Sequence, residues 1–163
     1  MYDVIPETSP KPNDCGPTCL KMLLAYYGID VPLETLATEC DCKINGCTGK
    51  DINRVGRAHG LDMKAWEMSA AEIIRQDRPS IVWWKYCHFV VCCGTDEMGK
   101  VVICNPDMGR YRMTQDTFKC WYSGIAFFNG DPHDLPEPEP VPNVDPETAD
   151  KAEAYDILMG VSE

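Results

Sequence analysis

The sequence predicts an α+β fold in which an N-terminal helical layer packs on a C-terminal antiparallel β-sheet. Apolar residues recur at helical spacing in the first half, whereas the second half has short β-branched and aromatic runs separated by turns. A run of helices followed by a run of strands favours segregated layers over alternating βαβ units. The length of 163 residues and the hydrophobic content of 44% suit one domain with its own core.

The first helix is predicted to carry Cys15 at its N-terminus. Asn13 or Asp14 serves as the N-cap, and Pro17 is tolerated in the first turn. Gly28 ends the helix. The apolar positions at helical spacing are Leu20, Leu23, Leu24 and Tyr27.

Three more helices and four strands are predicted further along the chain. The helices cover Leu33 to Thr38, Asp51 to His59 and Ala70 to Gln76. Ser69 and Glu72 form a capping box at the start of the last one. The strands cover Ser80 to Trp84, Cys87 to Cys93, Lys100 to Cys104 and Gly124 to Phe128. The cleft between the two layers is the expected place for a ligand.

The chain divides into a body, residues 1–130, and a Pro-rich acidic tail, residues 131–163. The tail holds ten Asp and Glu against one Lys, so nine of the eleven net negative charges lie there. This composition predicts a disordered, semi-extended linker. Apolar spacing makes residues 147–160 a candidate for a short helix. A frayed, solvated tail is the default interpretation of this segment, and a docking peptide for a protein partner is the alternative.

Composition also excludes several classes of function. The body has no Lys/Arg stripe that would neutralise phosphates, so we expect no nucleic-acid binding. Neither an apolar run of roughly 20 residues nor a signal peptide is present in the sequence, so we expect no membrane insertion and a cytoplasmic location. In that reducing compartment the ten cysteines are expected to be mainly free thiols, and no cofactor is expected.

Cys15 and His88 are the candidate nucleophile and base. A helix N-terminus supplies positive potential to a thiolate, and a nearby imidazole accepts the proton. His88 is selected by elimination, because His59 lies at a helix end and His133 lies in the tail. Gly16 would let a substrate backbone approach closely and leave nearby amides accessible.

Asn105 is the candidate for the third group, which orients the imidazole by accepting a hydrogen bond. Asn105 directly follows the strand that ends at Cys104, and Pro106 prevents the strand from continuing. This strand end is predicted to lie one hairpin away from His88. Asp107 is a second candidate for this role, and Asp96 is a weaker one. Without further information, the alternative is that Cys15 is a buried structural thiol and that His88 is a core histidine whose hydrogen bonds are satisfied.

The segment Asn-Asp-Cys-Gly-Pro-Thr-Cys-Leu-Lys-Met-Leu-Leu-Ala-Tyr-Tyr-Gly resembles the nucleophile segment of the bacteriocin-processing, double-glycine-leader peptidases. Later landmarks follow in the same order: Thr-Gly-Lys-Asp-Ile, Ala-His-Gly-Leu, His-Phe-Val-Val, Asn-Pro-Asp-Met-Gly and Thr-Phe-Lys-Cys-Trp. The resemblance spans roughly Pro10 to Phe128. It implies a papain-like fold with Cys15 as nucleophile, His88 as base and Asn105 as orienting residue.

The same resemblance implies a peptide or protein substrate. In the family the scissile bond follows Gly-Gly or Gly-Ala, because a narrow cleft excludes larger side chains. Three tryptophans are candidates for the walls of this cleft, although burial in the core is the default interpretation: Trp83, Trp84 and Trp121.

Two positions depart from the family pattern. The family usually has Asp where Asn105 stands, and a Gln six residues before the nucleophile where Ser9 stands. Loss of one oxyanion donor costs about 100- to 1000-fold in turnover, although backbone N–H groups near Cys15, or the side chains of Ser9 or Asn13, would substitute for it. A degenerate peptidase-like domain that binds a peptide without cutting it is therefore the alternative function, and acyl transfer would use the same residues.

A metal site is the competing interpretation of the clustered cysteines. Cys40, Cys42 and Cys47 lie within eight residues, with Cys19 or His59 as the fourth ligand of a structural zinc. The usual C-x-x-C pair is absent, so ordinary thiols are the default and no metal is expected.

Overall fold

The computed structural model describes residues 1–132, which form five helices and one six-stranded sheet. The elements in chain order are α1 (Cys15–Tyr26), α2 (Leu33–Glu39), α3 (Gly49–Ala58), β1 (Met63–Glu67), α4 (Ala70–Ile74), β2 (Ser80–Trp84), β3 (His88–Thr95), β4 (Val101–Asn105), β5 (Gly109–Met113), α5 (Gln115–Trp121) and β6 (Tyr122–Asn129). The predicted linker, the short helix at 147–160 and His133 lie outside the described residues.

The sheet is antiparallel throughout, with strand order β1-β6-β2-β3-β4-β5. Strands β2 and β3 form a hairpin in which Trp84 pairs with His88. Strands β4 and β5 form the next hairpin, in which Asn105 pairs with Gly109. Because β3 and β4 run in opposite directions, the start of β3 and the end of β4 lie at the same end of the strands. His88 and Asn105 are therefore close to each other.

Helices cover both faces of the sheet. Alternate side chains of the central strands point to opposite faces, so neighbours such as Ile81 and Val82 belong to two different cores. Helices α1 to α3 pack on the face that includes Ile81, and α4 and α5 pack on the face that includes Val82. Burial on both faces explains why the central strands read as nearly continuous apolar runs.

The first helix begins and ends where the sequence predicts. Asp14 is the N-cap residue, but its side chain makes no capping hydrogen bond, and its backbone carbonyl accepts from Thr18. At the other end Gly28 adopts a φ of +79°. Hydrogen bonds from Gly28 N to Ala25 O and from Ile29 N to Leu24 O, each 3.0 Å, complete a Schellman motif.

Three elements were not predicted. Strand β1 follows α3 and pairs with β6, strand β5 pairs with β4, and helix α5 links β5 to β6. Both missed strands lie at the edges of the sheet, so their exposed faces carry polar residues that weaken the strand pattern. The first half is therefore not purely helical. None of the helices within residues 1–132 has the length and apolar character to cross a membrane.

Candidate active site

Cys15 is the first residue of α1, and its side chain lies where the helix meets the sheet. It is 9% exposed, so the residue is largely shielded from bulk solvent. The first-turn N–H groups of α1 have no intrahelical partner, which places positive potential beside the sulfur. A helix start of this kind favours a thiolate.

Gly16 packs against Cys47, which lies in the loop between α2 and α3. A Cβ built on Gly16 would lie 2.6 Å from Cys47 Sγ and 3.1 Å from Ile52 Cδ1. Both distances are closer than ordinary packing allows, so the absent side chain makes room for protein atoms in this direction. The local reason for glycine here is therefore close packing of α1 on its neighbours.

His88 is mounted at the start of β3 after a tight turn. Cys87, directly before it, has a φ of +59°, a left-handed conformation that costs a non-glycine residue about 1–2 kcal/mol. The Cys87 N–H donates to Trp84 O at 3.1 Å, and the indole ring of Trp84 meets the imidazole edge-on with 6.2 Å between ring centroids. The hairpin and this ring contact fix where the imidazole points.

Asn105 holds the imidazole from the neighbouring strand. His88 Nε2 lies 2.9 Å from Asn105 Oδ1, which also accepts from the Asp107 N–H at 2.9 Å. The Asn105 amide nitrogen donates to the Tyr111 hydroxyl at 3.3 Å. Because both ends of the amide are engaged, its oxygen is directed at the ring.

The charge on His88 is controlled by burial and by its partners. Burial disfavours the imidazolium, but hydrogen bonds with Cys15 and Asn105 and the negative charges of Cys15 and Asp107 together raise the pKa of His88 above its ordinary value. The Asp107 carboxylate lies 3.6 Å from His88 Nε2. The structure thus brings Cys15, His88 and Asn105 together, with Asp107 beside them. Asp96 is elsewhere, where its carboxylate binds Arg112.

The Ser9 hydroxyl and the Asn13 side-chain amide each donate a hydrogen bond to a backbone carbonyl. The Ser9 hydroxyl donates to Lys11 O at 2.5 Å, and the Ser9 N–H donates to Pro106 O at 2.8 Å. The Asn13 amide donates to Lys43 O at 2.7 Å. These bonds hold the segment before α1 against the turn after β4 and against the loop after α2.

Two grooves flank that segment. One, of about 420 Å³, lies between residues 8–12 and Asp107. The other, of about 640 Å³, lies between Asn13, Asp14 and helix α2. Asp14, which lines the larger groove, precedes Cys15, and Asp107, which lines the smaller one, lies beside His88.

Three of the cysteines that a zinc site would need, Cys40, Cys42 and Cys47, lie in one hydrogen-bonded cluster. Cys47 hydrogen-bonds to Cys40 and Cys42, and the contact with Cys40, followed by burial, raises its pKa. Burial likewise raises the pKa of Cys42. His59 is paired with Glu39 at 2.5 Å. Within residues 1–132 no group of three or more His, Cys, Asp or Glu side chains is arranged to hold a metal ion.

The tryptophans have separate roles. Trp84 is buried between His88 and Trp121, with 5.4 Å between the two indole centroids. Trp83 packs on Phe89 at 4.3 Å on the opposite face. Sequence reasoning missed Tyr111, which follows Asn105 across the β4–β5 hairpin. The hairpin register would have revealed it, because residues two apart on β5 share a face.

The fold defines a papain-like cysteine peptidase domain, with a helix-borne thiol facing a histidine on an antiparallel sheet. The chain belongs to the Peptidase C39 family, whose family model matches residues 6–132. The predicted resemblance and the predicted fold class are confirmed.

Curated relatives are longer proteins. The probable microcin-H47 secretion/processing ATP-binding protein of Escherichia coli is 25% identical over 113 residues, which are 69% of this chain and 16% of that protein. The lactococcin-G-processing and transport ATP-binding protein of Lactococcus lactis is 25% identical over 122 residues, covering 71% and 17%. This chain thus spans about a sixth of the length of these relatives.

Solved structures show the same fold. A double glycine motif protease from an AMS/PCAT transporter, in complex with the leader peptide, superimposes with a TM-score of 0.71 at 26% identity, covering 76% of this chain and 89% of that one. The peptidase domain of Streptococcus ComA, a bi-functional ABC transporter, has a TM-score of 0.71 at 20% identity, covering 77% and 96%.

Proposed function

We propose that the protein is a cysteine peptidase in which Cys15, His88 and Asn105 form the catalytic triad. The observation that carries this proposal is the imidazole of His88 held between the Cys15 thiol and the Asn105 amide oxygen. A base that contacts the nucleophile and is oriented by a third group is the arrangement that thiol catalysis requires.

The geometry supports a two-step reaction. Asn105 occupies Nε2, so the other ring nitrogen, Nδ1, is the one that takes the proton from the Cys15 thiol. The thiolate attacks the carbonyl carbon of the scissile bond, and His88 returns the proton to the departing amine as a thioester forms. Water, deprotonated by His88, then attacks the thioester and releases Cys15 as a thiol.

Backbone groups are the proposed donors to the oxyanion. The Ser9 hydroxyl is committed to Lys11 O, and the Asn13 amide is bonded to Lys43 O. The N–H of Cys15, at the start of α1, has no intrahelical acceptor and is adjacent to the reacting carbonyl. We therefore assign the stabilisation of the oxyanion to this N–H and to the helix terminus.

The proposed substrate is a peptide cut after two small residues such as Gly-Gly. Support comes from the double glycine motif protease that shares 26% identity with this chain and was solved with its leader peptide. The two grooves beside Cys15 and Asp107 offer room for extended peptide on either side of the segment before α1.

A second candidate is a degenerate domain that binds a peptide without cutting it. The observation in its favour is the hydroxyl of Ser9, which is turned to Lys11 and cannot replace the missing Gln. In this case the thiol would still pair with His88, but the tetrahedral intermediate would lack a side-chain donor.

Mass spectrometry of peptides incubated with the full chain separates the two candidates. We expect peptides with an internal Gly-Gly to be cut after the second Gly by the wild type and by Cys120→Ala, an exposed cysteine on α5, but not by Cys15→Ala. Cleavage that survives in Cys15→Ala would contradict the proposal. Tight binding of intact peptide by the wild type would favour the degenerate domain.

A further inference from the structure

We propose that Asp107 supplies the negative charge that stabilises the imidazolium of His88, while Asn105 orients the ring through a neutral hydrogen bond. The two tasks that a single Asp performs in a Cys-His-Asp triad are thus divided between two residues in this chain. The proposal rests on the proposed function of the Cys15–His88 pair, and it names Asp107 as a positioning residue that acts through His88.

The geometry ties Asp107 to the same ring nitrogen as Asn105. Asn105 Oδ1 lies 2.9 Å from His88 Nε2, and Asp107 Oδ2 lies 3.6 Å from it. The Asp107 N–H also donates to Asn105 Oδ1 at 2.9 Å, so one turn places both the amide oxygen and the carboxylate. The carboxylate is thus held at ion-pair distance without replacing the hydrogen bond to Asn105.

The electrostatic need arises from burial. The side chain of His88 is only 18% exposed, and a neutral amide offers no net charge to offset the desolvation of an imidazolium. The groups that face the ring are Cys15 from α1, Trp84 from β2, Asn105 at the end of β4 and Asp107 in the next turn. Of these, Cys15 and Asp107 are ionisable, and Cys15 loses its charge each time the thioester forms. Asp107 is then the remaining counterion.

The position of Asp107 also permits a different role, which the test must separate. Its side chain is 53% exposed and lines the groove that residues 8–12 form. A carboxylate that only contacted substrate would change KM without altering the free protein. An electrostatic partner of His88 changes the titration of the imidazole when no substrate is present.

The test is an NMR titration of the histidine rings in the full chain, without substrate. We expect Asp107→Asn to lower the pKa of His88 by about 0.5 to 1 unit, the effect of a unit charge about 4 Å away in a watery environment. His59, paired with Glu39, is an internal control, and Asp116→Asn, an exposed carboxylate on α5, is the matched control variant. Neither is expected to shift.

A charge swap provides the second measurement. Asn105→Asp combined with Asp107→Asn places a carboxylate next to the imidazole again. We expect the pKa of His88 in this double variant to recover toward the wild-type value. A titration of Asp107→Asn that matches Asp116→Asn overturns the proposal, as does a swap that fails to recover the pKa in a folded protein. Because no peptide is used, these outcomes are independent of whether the protein cuts Gly-Gly peptides.

Discussion

At His88 two opposing effects set the charge of the imidazole. Burial removes water from the ring and favours its neutral form, whereas Cys15, Asn105 and Asp107 favour the charged form. The three partners have the larger combined effect, so the pKa of His88 is raised. A raised pKa means that the imidazolium persists above the ordinary pKa of about 6.5. The raised pKa therefore favours the charged form of the ring next to Cys15.

The Ser9→Ala variant tests where the oxyanion donors lie. Because the Ser9 hydroxyl donates to Lys11 O, we expect its removal to change kcat for Gly-Gly peptides by less than about threefold. Loss of a working oxyanion donor would reduce kcat by about 100-fold or more. Steady-state kinetics of the variant and the wild type distinguish the two, and a 100-fold loss would contradict the backbone assignment.

The contact between Gly16 and Cys47 makes a second residue-scale prediction. A Cβ at position 16 would lie 2.6 Å from Cys47 Sγ, so we expect Gly16→Ala to lower the free energy of unfolding by about 1–3 kcal/mol. Cys47→Ala removes the sulfur, and the double variant is expected to regain part of that loss in urea denaturation. Equal stability of Gly16→Ala and the wild type would show that the contact is wrong.

The proposed triad could be selected from the sequence because each member has a local signature. Cys15 begins a helix, His88 begins an apolar strand, and Asn105 precedes a proline. Asp107 was only a second candidate for the third role, because its distance from His88 depends on the turn after β4. The approach of Cys47 to Gly16 was not predictable in this way, because it depends on how the loop between α2 and α3 packs on α1.

At the scale of elements, strong periodic signals predicted the structure best. Strand β2 (Ser80–Trp84) matches its predicted bounds, and the Ser69/Glu72 capping box is present. Edge strands β1 and β5 were missed because half of their residues are solvated. Helix α5 was missed because it is short and Phe118 is its only fully buried residue. Edge pairing and short helices depend on tertiary neighbours more than on local pattern.

A second capping box, at the start of α3, makes an element-scale prediction. Asp51 N donates to the Thr48 hydroxyl at 3.2 Å, while Thr48 donates from its N–H and its hydroxyl to the Asp51 carboxylate. We expect Thr48→Ala to cost about 1 kcal/mol of stability at pH 7. Thr38→Ala, which removes a hydroxyl bonded to its own helix, is the control and is expected to cost less.

The pH dependence of that cost has a definite sign. The Thr48 hydroxyl, chiefly, holds the pKa of Asp51 below its ordinary value, so the ionised carboxylate stabilises the folded state above about pH 4. The contribution is lost as pH falls through the lowered pKa. Urea denaturation at pH 7 and near pH 3 should therefore show a smaller Thr48→Ala effect at the acidic pH. An effect that grows on acidification would contradict the capping box.

At the scale of the whole molecule, we propose that residues 1–130 fold as an independent domain. Both cores are built from residues between Val4 and Phe128. A chain truncated after residue 132 carries a net charge of −3 instead of −11, and it retains the ion pair of Lys64 with Asp131.

Thermal unfolding of this truncated chain tests the domain boundary. We expect a single transition with a midpoint within about 2 °C of the full chain, because the truncation keeps every core residue that the structure describes and cooperative unfolding is typical of one domain. A midpoint lower by more than about 5 °C would show that residues 133–163 stabilise the domain.

Selective alkylation measures whether His88 activates the thiol of Cys15. The native protein is treated with iodoacetamide at pH 6, and the modified thiol is located by mass spectrometry. We expect Cys15 to react at least about tenfold faster than the other nine cysteines, and His88→Ala to abolish that advantage, because only a thiolate is a good nucleophile at this pH. If Cys15 reacts no faster than the others, or if His88→Ala leaves its rate unchanged, the account is contradicted.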